Sequence, residues 1–237
     1  MNLPLNTSAN ISDPVAQARY NMIEQQIRPW NVLDADVLDL LAVVRREDFV
    51  PPAYRSMAFM DIEVPLLGND AEDAVRLGHS MLQPRVEARI LQDLQVKPTD
   101  RVLEIGAGSG YMAALLAARA ERVVSLEIDP ELAEMARENL RDADVQNADV
   151  RQGDGARDAI PDGPFDVIVL SGSVAEVPSH LLALLRDGGR LGAIVGSEPV
   201  MRFTVTRRTG DRFETTSPWD TIAPRLVNFP EPSGFTF

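Results

Sequence analysis

From residue 101 onward the sequence alternates short apolar runs with helical runs, and this alternation restricts the possible fold more than any other feature. Repeated strand–helix–strand units build a parallel sheet with helices on both faces. The run Val167-Ile168-Val169-Leu170 is apolar throughout, as expected for a strand buried on both sides. The pattern predicts strands at 101–105, 122–127, 148–152, 165–170 and 190–195, and helices at 111–120, 130–140 and 178–185. The predicted fold class is α/β.

The segments on either side of this alternation follow other patterns. Apolar residues at helical spacing predict helices at 15–26, 34–44 and 84–95, while residues 45–52 and 69–73 are polar or proline-containing breaks. The first dozen residues lack periodicity and are interpreted as a loose leader. Beyond Gly196, residues 202–208 and 226–229 predict two antiparallel strands, a hairpin at the sheet edge. We therefore expect a leader and helical cap at 1–78 and a ligand-binding domain at 79–237.

A glycine-rich turn, Gly106-Ala107-Gly108-Ser109-Gly110, follows the first strand of the alternation. Its spacing is G-x-G-x-G, with Tyr111 where a dinucleotide-binding loop has its last glycine, which speaks against a bound pyrophosphate. Such a turn still brings backbone N–H groups close to a nucleoside or an amino-acid carboxylate.

Three acidic residues lie at the ends of three successive predicted strands. Glu104 can meet an ammonium group, Glu127 can accept hydrogen bonds from both ribose hydroxyls, and Asp154 can accept one from the adenine amine. An amino acid, a ribose and an adenine together describe S-adenosylmethionine better than NAD. The alternative for each acid taken singly is a solvated loop residue, since carboxylates are mostly exposed.

The composition excludes several classes of protein. The net charge of −13 repels nucleic-acid backbones and anionic membrane surfaces. Cysteine is absent, and the two histidines, His79 and His180, have no neighbours at metal-ligand spacing, so no metal site is expected. The N-terminus does not resemble a secretory signal, and no stretch reaches the ~18 apolar residues of a membrane span, which predicts a cytoplasmic location.

The segment Val102-Leu103-Glu104-Ile105-Gly106-Ala107-Gly108-Ser109-Gly110-Tyr111 resembles the first motif of class I methyltransferases, and in particular of protein-L-isoaspartate O-methyltransferases. The resemblance extends over most of the chain and is carried by Met22-Ile23-Glu24-Gln25-Gln26-Ile27-Arg28, Val43-Val44-Arg45-Arg46-Glu47-Asp48-Phe49-Val50-Pro51, Asp61-Ile62-Glu63-Val64-Pro65-Leu66, Gly153-Asp154-Gly155, Phe165-Asp166-Val167-Ile168-Val169, Val177-Pro178 and Gly188-Gly189-Arg190-Leu191.

The resemblance implies a Rossmann-like methyltransferase fold, S-adenosylmethionine as cofactor, and a protein or peptide substrate whose isomerised Asp or Asn residue carries the carboxylate to be methylated. The expected cofactor-binding residues are Met81, Leu82, Glu104, Gly106, Ala107, Gly108, Gly110, Glu127, Ile128, Asp154 and Gly155. The resemblance makes no prediction about the oligomeric state.

The chain departs from the family at its substrate-side motif, Gly-Gln-Thr-Ile-Ser-x-Pro, where it reads Gly78-His79-Ser80-Met81-Leu82-Gln83-Pro84. Leu82 replaces the family's functional serine and cannot form a hydrogen bond through its side chain. Ser80 is the candidate catalytic hydroxyl, with a plain polar loop residue as the alternative.

Three functions remain open at this point. They are an isoaspartate O-methyltransferase, a methyltransferase of the same build for a more apolar acceptor, which Leu82 and Met112 would suit, and a catalytically silent protein that binds the cofactor.

Overall fold

The computed structural model describes residues 13–67 and 70–231, and its N-terminal third is mainly helical. Aspartate side chains begin several helices by accepting hydrogen bonds from the first free backbone N–H groups, as Asp34 and Asp129 do. The α-helices are α1 Pro14–Met22, α2 Ala35–Val43, α3 Ala71–Arg76, α4 Pro84–Leu94, α5 Tyr111–Ala117, α6 Pro130–Asp142 and α7 Ser179–Leu182. A π-helical turn, Ile23–Ile27, continues α1, and the 3-10 turns are Arg28–Trp30, Arg46–Phe49 and Pro52–Met57.

The strands form two sheets. Strands β1 Val64–Pro65 and β2 Ser80–Met81 pair antiparallel in a small sheet of their own. The other strands are β3 Arg101–Ile105, β4 Arg122–Glu127, β5 Ala148–Gln152, β6 Phe165–Val174, β7 Leu185–Ser197, β8 Val200–Thr209 and β9 Arg212–Asp220. They form a seven-stranded sheet in the order β5-β4-β3-β6-β7-β8-β9. Pairs from β5 to β7 are parallel and the last two pairs are antiparallel, which confirms the predicted parallel sheet with a C-terminal hairpin.

Alternate residues of each central strand face opposite sides of the sheet, and the two sides are covered unequally. Val102 and Val167 belong to a core shared with α4, α5, α6 and the N-terminal helices. Leu103 and Ile168 belong to a second core that α7 and the irregular chain near Phe229 cover. Buried residues of α1 and α2 are continuous with the first core, so the N-terminal helices pack onto the sheet through its helical layer. The division at residue 78 stays a prediction.

Several predicted boundaries are wrong. The second strand of the hairpin is β9, and residues 226–229, predicted as that strand, contain no strand and run beside the sheet. The predicted break at 69–73 contains the start of α3, which Asp70 caps. The predicted helix 178–185 is only α7, because the chain enters β7 at Leu185. The predicted leader falls outside the described residues.

The described residues contain neither a membrane-spanning helix nor a metal-binding cluster. None of the helices in ranges 13–67 and 70–231 is long and apolar enough to cross a membrane. Within the same ranges, no three His, Cys, Asp or Glu side chains are grouped as a metal site would require.

Candidate functional site

The candidate site is a cleft at the carboxyl ends of the parallel strands. The chain runs from β3 outward to β4 and β5 and then returns to β6 on the other side of β3, so the strand order reverses there. Open α/β sheets bind ligands at such a reversal. The cleft is lined by residues at the ends of β3, β4, β5 and β6, among them Glu127 and Asp154. Polar side chains therefore converge there beside apolar ones, as in small-molecule sites.

The turn after β3 needs glycine for two reasons, positive φ angles and a close approach to α6. Gly106, Gly108 and Gly110 have φ values of 90°, 52° and 83°, a region that side chains strongly disfavour. A Cβ atom on Gly110 would lie 3.1 Å from the carbonyl oxygen of Ala136 on α6. Gly110 thus allows α5 and α6 to approach each other, and it is not among the residues that line the cleft.

The amides of this turn are used within the protein. The N–H groups of Gly106 and Ala107 donate to the carbonyl of Leu126 over 2.8 and 3.3 Å. The N–H of Gly108 donates to Glu127 Oε2 over 2.8 Å. The sequence predicts that these groups face a ligand, whereas in the structure they join the turn to the end of β4.

Glu127 is held in place by two backbone amides. Besides Gly108, the N–H of Asp129 donates to its Oε1 over 3.1 Å. The residue is 6% exposed, and burial raises the pKa of its carboxyl above the ordinary range although the backbone hydrogen bonds oppose the shift. Because the carboxylate is fixed before any ligand arrives, it is well placed to accept hydrogen bonds from a diol.

Glu104 is fully buried beside the turn. Ser125 Oγ donates to its Oε2 over 2.6 Å, and Ser171 Oγ donates to its Oε1 over 2.8 Å. Burial raises the pKa of Glu104 to about 8 against the smaller opposing effect of the two serines. At neutral pH the carboxyl is therefore largely protonated, and a cation bound beside it would favour the ionised form.

Replacing Glu104 by glutamine should flatten the pH dependence of stability. The folded-state pKa of about 8 exceeds the ordinary value of 4.5, so protonation of Glu104 contributes its full stability below pH 4.5. This contribution is lost as the pH rises through 8. The slope from one such group reaches about 1.4 kcal/mol per pH unit. Urea unfolding of the ligand-free protein at several pH values should show a smaller loss for Glu104→Gln than for the wild type. The exposed Glu121→Gln serves as control, and equal slopes for all three proteins would contradict the assignment.

Asp154 follows β5 and lines the cleft, whereas Glu104 lines only a small cavity beside it. Its Oδ1 accepts the N–H of Ala156 over 2.9 Å, and its Oδ2 accepts a hydrogen bond from Asn228 Nδ2 over 2.8 Å. Gly155 beside it admits no side chain, because a Cβ atom would lie 2.5 Å from Ile105 Cγ2. The contact with Asn228 links Asp154 to the C-terminal segment 223–229.

The C-terminal segment 223–229 forms a wall of the cleft by pairing with the end of β6. The N–H of Ser173 donates to the carbonyl of Pro224 over 2.7 Å, and the N–H of Leu226 donates to the carbonyl of Ser173 over 2.9 Å. The segment occupies the place beside β6 that β3 vacates after Ile105. Leu226 lies against Gly106, where a Cβ atom would be 3.1 Å from Leu226 Cδ2.

A small cavity of about 280 Å3 adjoins the cleft on the other side of the turn. Met81, Leu82, Glu104, Ala107 and Met112 line it, and Ser80, Gly106, Gly108 and Ser171 line both the cavity and the cleft.

Ser80 lies at the junction of the cleft and the small cavity. Its buried Oγ lies near the Glu63 carboxyl, whose pKa burial raises against the smaller opposite effect of this hydroxyl, but it makes no hydrogen bond of normal geometry among the described residues. Pairing of β2 with β1 holds its backbone, since Ser80 lies opposite Pro65. Leu82, which stands where the family has its serine, lines the small cavity and not the cleft.

A groove of about 1,150 Å3 opens on the outer side of the cleft. It is bounded by the chain just before β1, the end of α3 with its connection to β2, the β7–β8 turn and the C-terminal segment 223–229, among them Glu63, Arg76, Glu198 and Pro224. Leu77, Gly78 and Arg225 line both the cleft and the groove. A molecule in the groove would therefore meet a ligand in the cleft at these residues.

The structure brings together all but one of the predicted site residues. Gly106, Gly108, Glu127, Ile128, Asp154, Gly155 and Ser80 line the cleft; Met81, Leu82, Glu104 and Ala107 line the small cavity; Gly110 lines neither. Their roles toward a ligand stay predictions. The sequence interpretation missed Ser171, Arg225, Leu226 and Phe229, although the apolar run around Leu226 offered a signal that we assigned to a strand.

Comparisons with known proteins place this chain in a family. The family model "Protein-L-isoaspartate(D-aspartate) O-methyltransferase (PCMT)" matches residues 17–222. Proteins named protein-L-isoaspartate O-methyltransferase from Koribacter versatilis and Methanoculleus marisnigri are 36% and 37% identical. The first alignment covers 84% of this chain and 85% of that relative, and the second covers 86% and 89%.

Solved structures agree on the fold. A Plasmodium falciparum chain crystallised with S-adenosyl-L-homocysteine superposes with a TM-score of 0.73 at 18% identity, covering 88% of this chain and 97% of that one. A protein-L-isoaspartate O-methyltransferase superposes with a TM-score of 0.74 at 23% identity, covering 87% and 65%. The predicted methyltransferase fold class is thereby confirmed. The match over residues 17–222 and the identities above 30% along most of both chains show that this chain belongs to the protein-L-isoaspartate(D-aspartate) O-methyltransferase family.

Proposed function

We propose that this chain transfers the methyl group of S-adenosylmethionine to the free carboxylate of an isoaspartyl residue in a protein or peptide. The observation that carries the proposal is the cleft at the strand reversal, in which Glu127 and Asp154 line one chamber and Glu104 lines the adjoining cavity. The relatives named for this activity align with 84% and 86% of the chain, which supports the same activity here.

The three acids would bind different parts of the cofactor, two in the cleft and one in the small cavity. The residues that would hold the adenosine line the cleft: Glu127 would accept from the ribose diol, Asp154 from the adenine amine, and Ile128 and Gly155 would flank the nucleoside. The methionine part would lie along Gly106 and Gly108 toward the small cavity, where Glu104, between Met81 and Leu82, would receive its ammonium. Binding of this cation ionises Glu104, whose pKa burial raises to about 8 in the empty site.

The chemistry requires positioning more than acid–base catalysis. A carboxylate oxygen of the acceptor attacks the methyl carbon, and the carbon–sulfur bond breaks with its electron pair remaining on sulfur. The products are a methyl ester and S-adenosylhomocysteine, so no proton has to move in this step. The protein contributes by aligning the two reactants and by excluding water from the nucleophile.

Ser80 supplies the hydroxyl that Leu82 lacks. Its buried Oγ makes no hydrogen bond of normal geometry in the described chain, although the Glu63 carboxyl lies near it. The hydroxyl belongs to a residue that lines both the cleft and the small cavity, beside the expected position of the sulfonium. A hydroxyl at this point can donate to the acceptor carboxylate and hold one oxygen while the other attacks.

The proposal is tested with methyl-labelled S-adenosylmethionine and two peptides that differ only in carrying isoaspartate or normal aspartate. We expect base-labile label in the isoaspartyl peptide alone. Ser80→Ala should lower kcat by about tenfold, the effect of one hydrogen bond of ~1.4 kcal/mol in the transition state. Leu82→Ser should raise the activity.

Measured cofactor binding without label in the isoaspartyl peptide would reject the proposed reaction and leave a cofactor-binding protein. An unchanged kcat in Ser80→Ala would reject the role of this hydroxyl alone.

A further inference from the structure

The charge around the cleft poses a problem for a carboxylate acceptor. Glu127, Asp129 and Asp154 line the cleft, and Glu63 and Glu198 line the groove beside it. The groove also contains Arg76, which is exposed and already paired with Asp73. The whole chain carries a net charge of −13. A substrate that brings a further carboxylate to this region is repelled unless a cation lies where it docks.

Arg225 is the one permanently charged cation among the described residues that line the cleft. It also lines the groove, so Arg225 belongs to the wall that the two spaces share. Pairing of the C-terminal segment 223–229 with Ser173 of β6 fixes its backbone. The cation is therefore built into the sheet at the point where an acceptor and the methyl donor would meet.

The guanidinium of Arg225 is only partly used within the protein. Its Nη2 donates to the carbonyl of Gly196 over 2.9 Å and to Ser197 Oγ over 3.4 Å, and its Nε pairs with Glu231 over 2.8 Å. The Glu231 side chain is 51% exposed, and an ion pair with so exposed a partner contributes little. Nη1 is enclosed and has no acceptor among the described residues, which is costly for a charged donor and would be relieved by an anion.

The position of Arg225 favours the acceptor over the cofactor as the source of that anion. The carboxylate of the cofactor belongs to the methionine part, which the proposed binding mode places in the small cavity around Glu104. Arg225 is not among the residues lining that cavity. A carboxylate that enters through the groove, in contrast, reaches Arg225 before it reaches the cleft.

We propose that Arg225 binds the free carboxylate of the incoming isoaspartyl residue and so selects an anionic acceptor at the mouth of the groove. The inference rests on the proposed function and adds the residue that recognises the charge of the substrate. A guanidinium suits this task because it stays protonated and its planar N–H groups match a carboxylate. It also compensates in part for the donor lost at Leu82.

The test compares Arg225→Gln and Arg225→Lys with the wild type on the isoaspartyl peptide. We expect the KM of Arg225→Gln for the peptide to rise about tenfold or more, equivalent to the loss of ~1.4 kcal/mol of binding. The Kd for S-adenosylmethionine should not change, and Arg225→Lys should recover part of the loss. Arg202→Gln is the matched control, because Arg202 Nε pairs with Asp220 over 2.9 Å on the neighbouring hairpin and lines neither space.

A second measurement separates charge recognition from a structural role. Binding of the isoaspartyl peptide and of its neutral amide analogue is measured on protein saturated with S-adenosylhomocysteine. The wild type should prefer the acid, and Arg225→Gln should lose that preference, whereas a displaced segment 223–229 would weaken both peptides and the cofactor alike. Equal preference in the wild type and Arg225→Gln overturns the inference.

The binding measurement also distinguishes the two proposals from each other. If the wild type binds the acid peptide through Arg225 without methylating it, the proposed reaction fails and the inference stands. If it methylates the peptide and Arg225→Gln has an unchanged KM, the inference fails and the reaction stands. Absence of any peptide binding by the wild type overturns both.

Discussion

Arg46→Met is expected to destabilise the protein by about 3–5 kcal/mol, the usual cost of removing one partner from a buried ion pair. The Arg46 side chain is fully buried and pairs through Nη1 with Glu87 at the base of α4. Its Nη2 donates to the carbonyl of Leu82 over 2.7 Å, and its guanidinium lies 5.3 Å from the ring centre of Tyr111. Loss of the arginine leaves the Glu87 carboxyl enclosed without its cation.

The destabilisation should grow with pH. Burial raises the pKa of Glu87 to about 7, and attraction to Arg46 limits that rise. Below this value the Glu87 carboxyl is protonated in the folded protein, so the loss of Arg46 costs less. Above it the folded wild type releases the proton, whereas the folded variant keeps it because no cation stabilises the carboxylate. The unfolded chain releases the proton in both proteins, so rising pH favours unfolding of the variant. Urea unfolding near pH 6 and pH 8 would measure the difference, with a larger loss near pH 8.

Two variants serve as controls for Arg46→Met. Arg46→Met combined with Glu87→Leu should recover much of the stability, since apolar groups can replace a buried pair. Arg141→Met changes an arginine on α6 whose side chain is 68% exposed and should cost almost nothing. A double variant less stable than Arg46→Met alone would show that Glu87 is not the source of the cost.

Glu127→Ala should weaken S-adenosylmethionine binding by about tenfold to a hundredfold. A hydrogen bond to a charged group contributes ~1.5–3 kcal/mol, and a diol forms two with one carboxylate. The substitution also frees the N–H groups of Gly108 and Asp129, which now fix the turn and the end of β4. Isothermal titration calorimetry with S-adenosylmethionine measures the effect directly.

The matched control for Glu127→Ala is Glu131→Ala, an exposed acid at the start of α6. It should bind the cofactor like the wild type. Glu127→Gln is informative as well, because the amide oxygen can still accept from one backbone N–H while the negative charge is lost. An unchanged Kd for Glu127→Ala would place the ribose elsewhere in the cleft.

Elements with a buried face could be predicted from the sequence, and elements without one could not. The strand around Val167 is apolar because both sides of the sheet are covered, so its pattern was visible. In β9 only Trp219 is buried and Pro218 interrupts the pattern, as befits an edge strand, which left no apolar signal. The run at 226–229 is apolar because Leu226 and Phe229 line the cleft, and we mistook this for strand burial.

The site could be predicted where it depends on neighbours along the chain. The glycine turn and the acids Glu104 and Glu127 follow the strands that carry them, so position in the alternation was enough. Arg225 gave no such signal, because its importance arises from pairing with Ser173, far away in sequence. The same holds for Arg46 and Glu87, whose contact links the N-terminal third to α4 and leaves no periodic trace.

The pairing of Ser173 with Pro224 and Leu226 also orders events during protein synthesis. A nascent chain that has not yet reached Pro224 already contains every strand of the seven-stranded sheet, but its cleft lacks one wall. Contacts between distant parts of a chain form late because the intervening segment must first be ordered. We therefore expect S-adenosylmethionine to bind only a chain translated past Leu226, so the methyl donor guides the earlier folding steps very little.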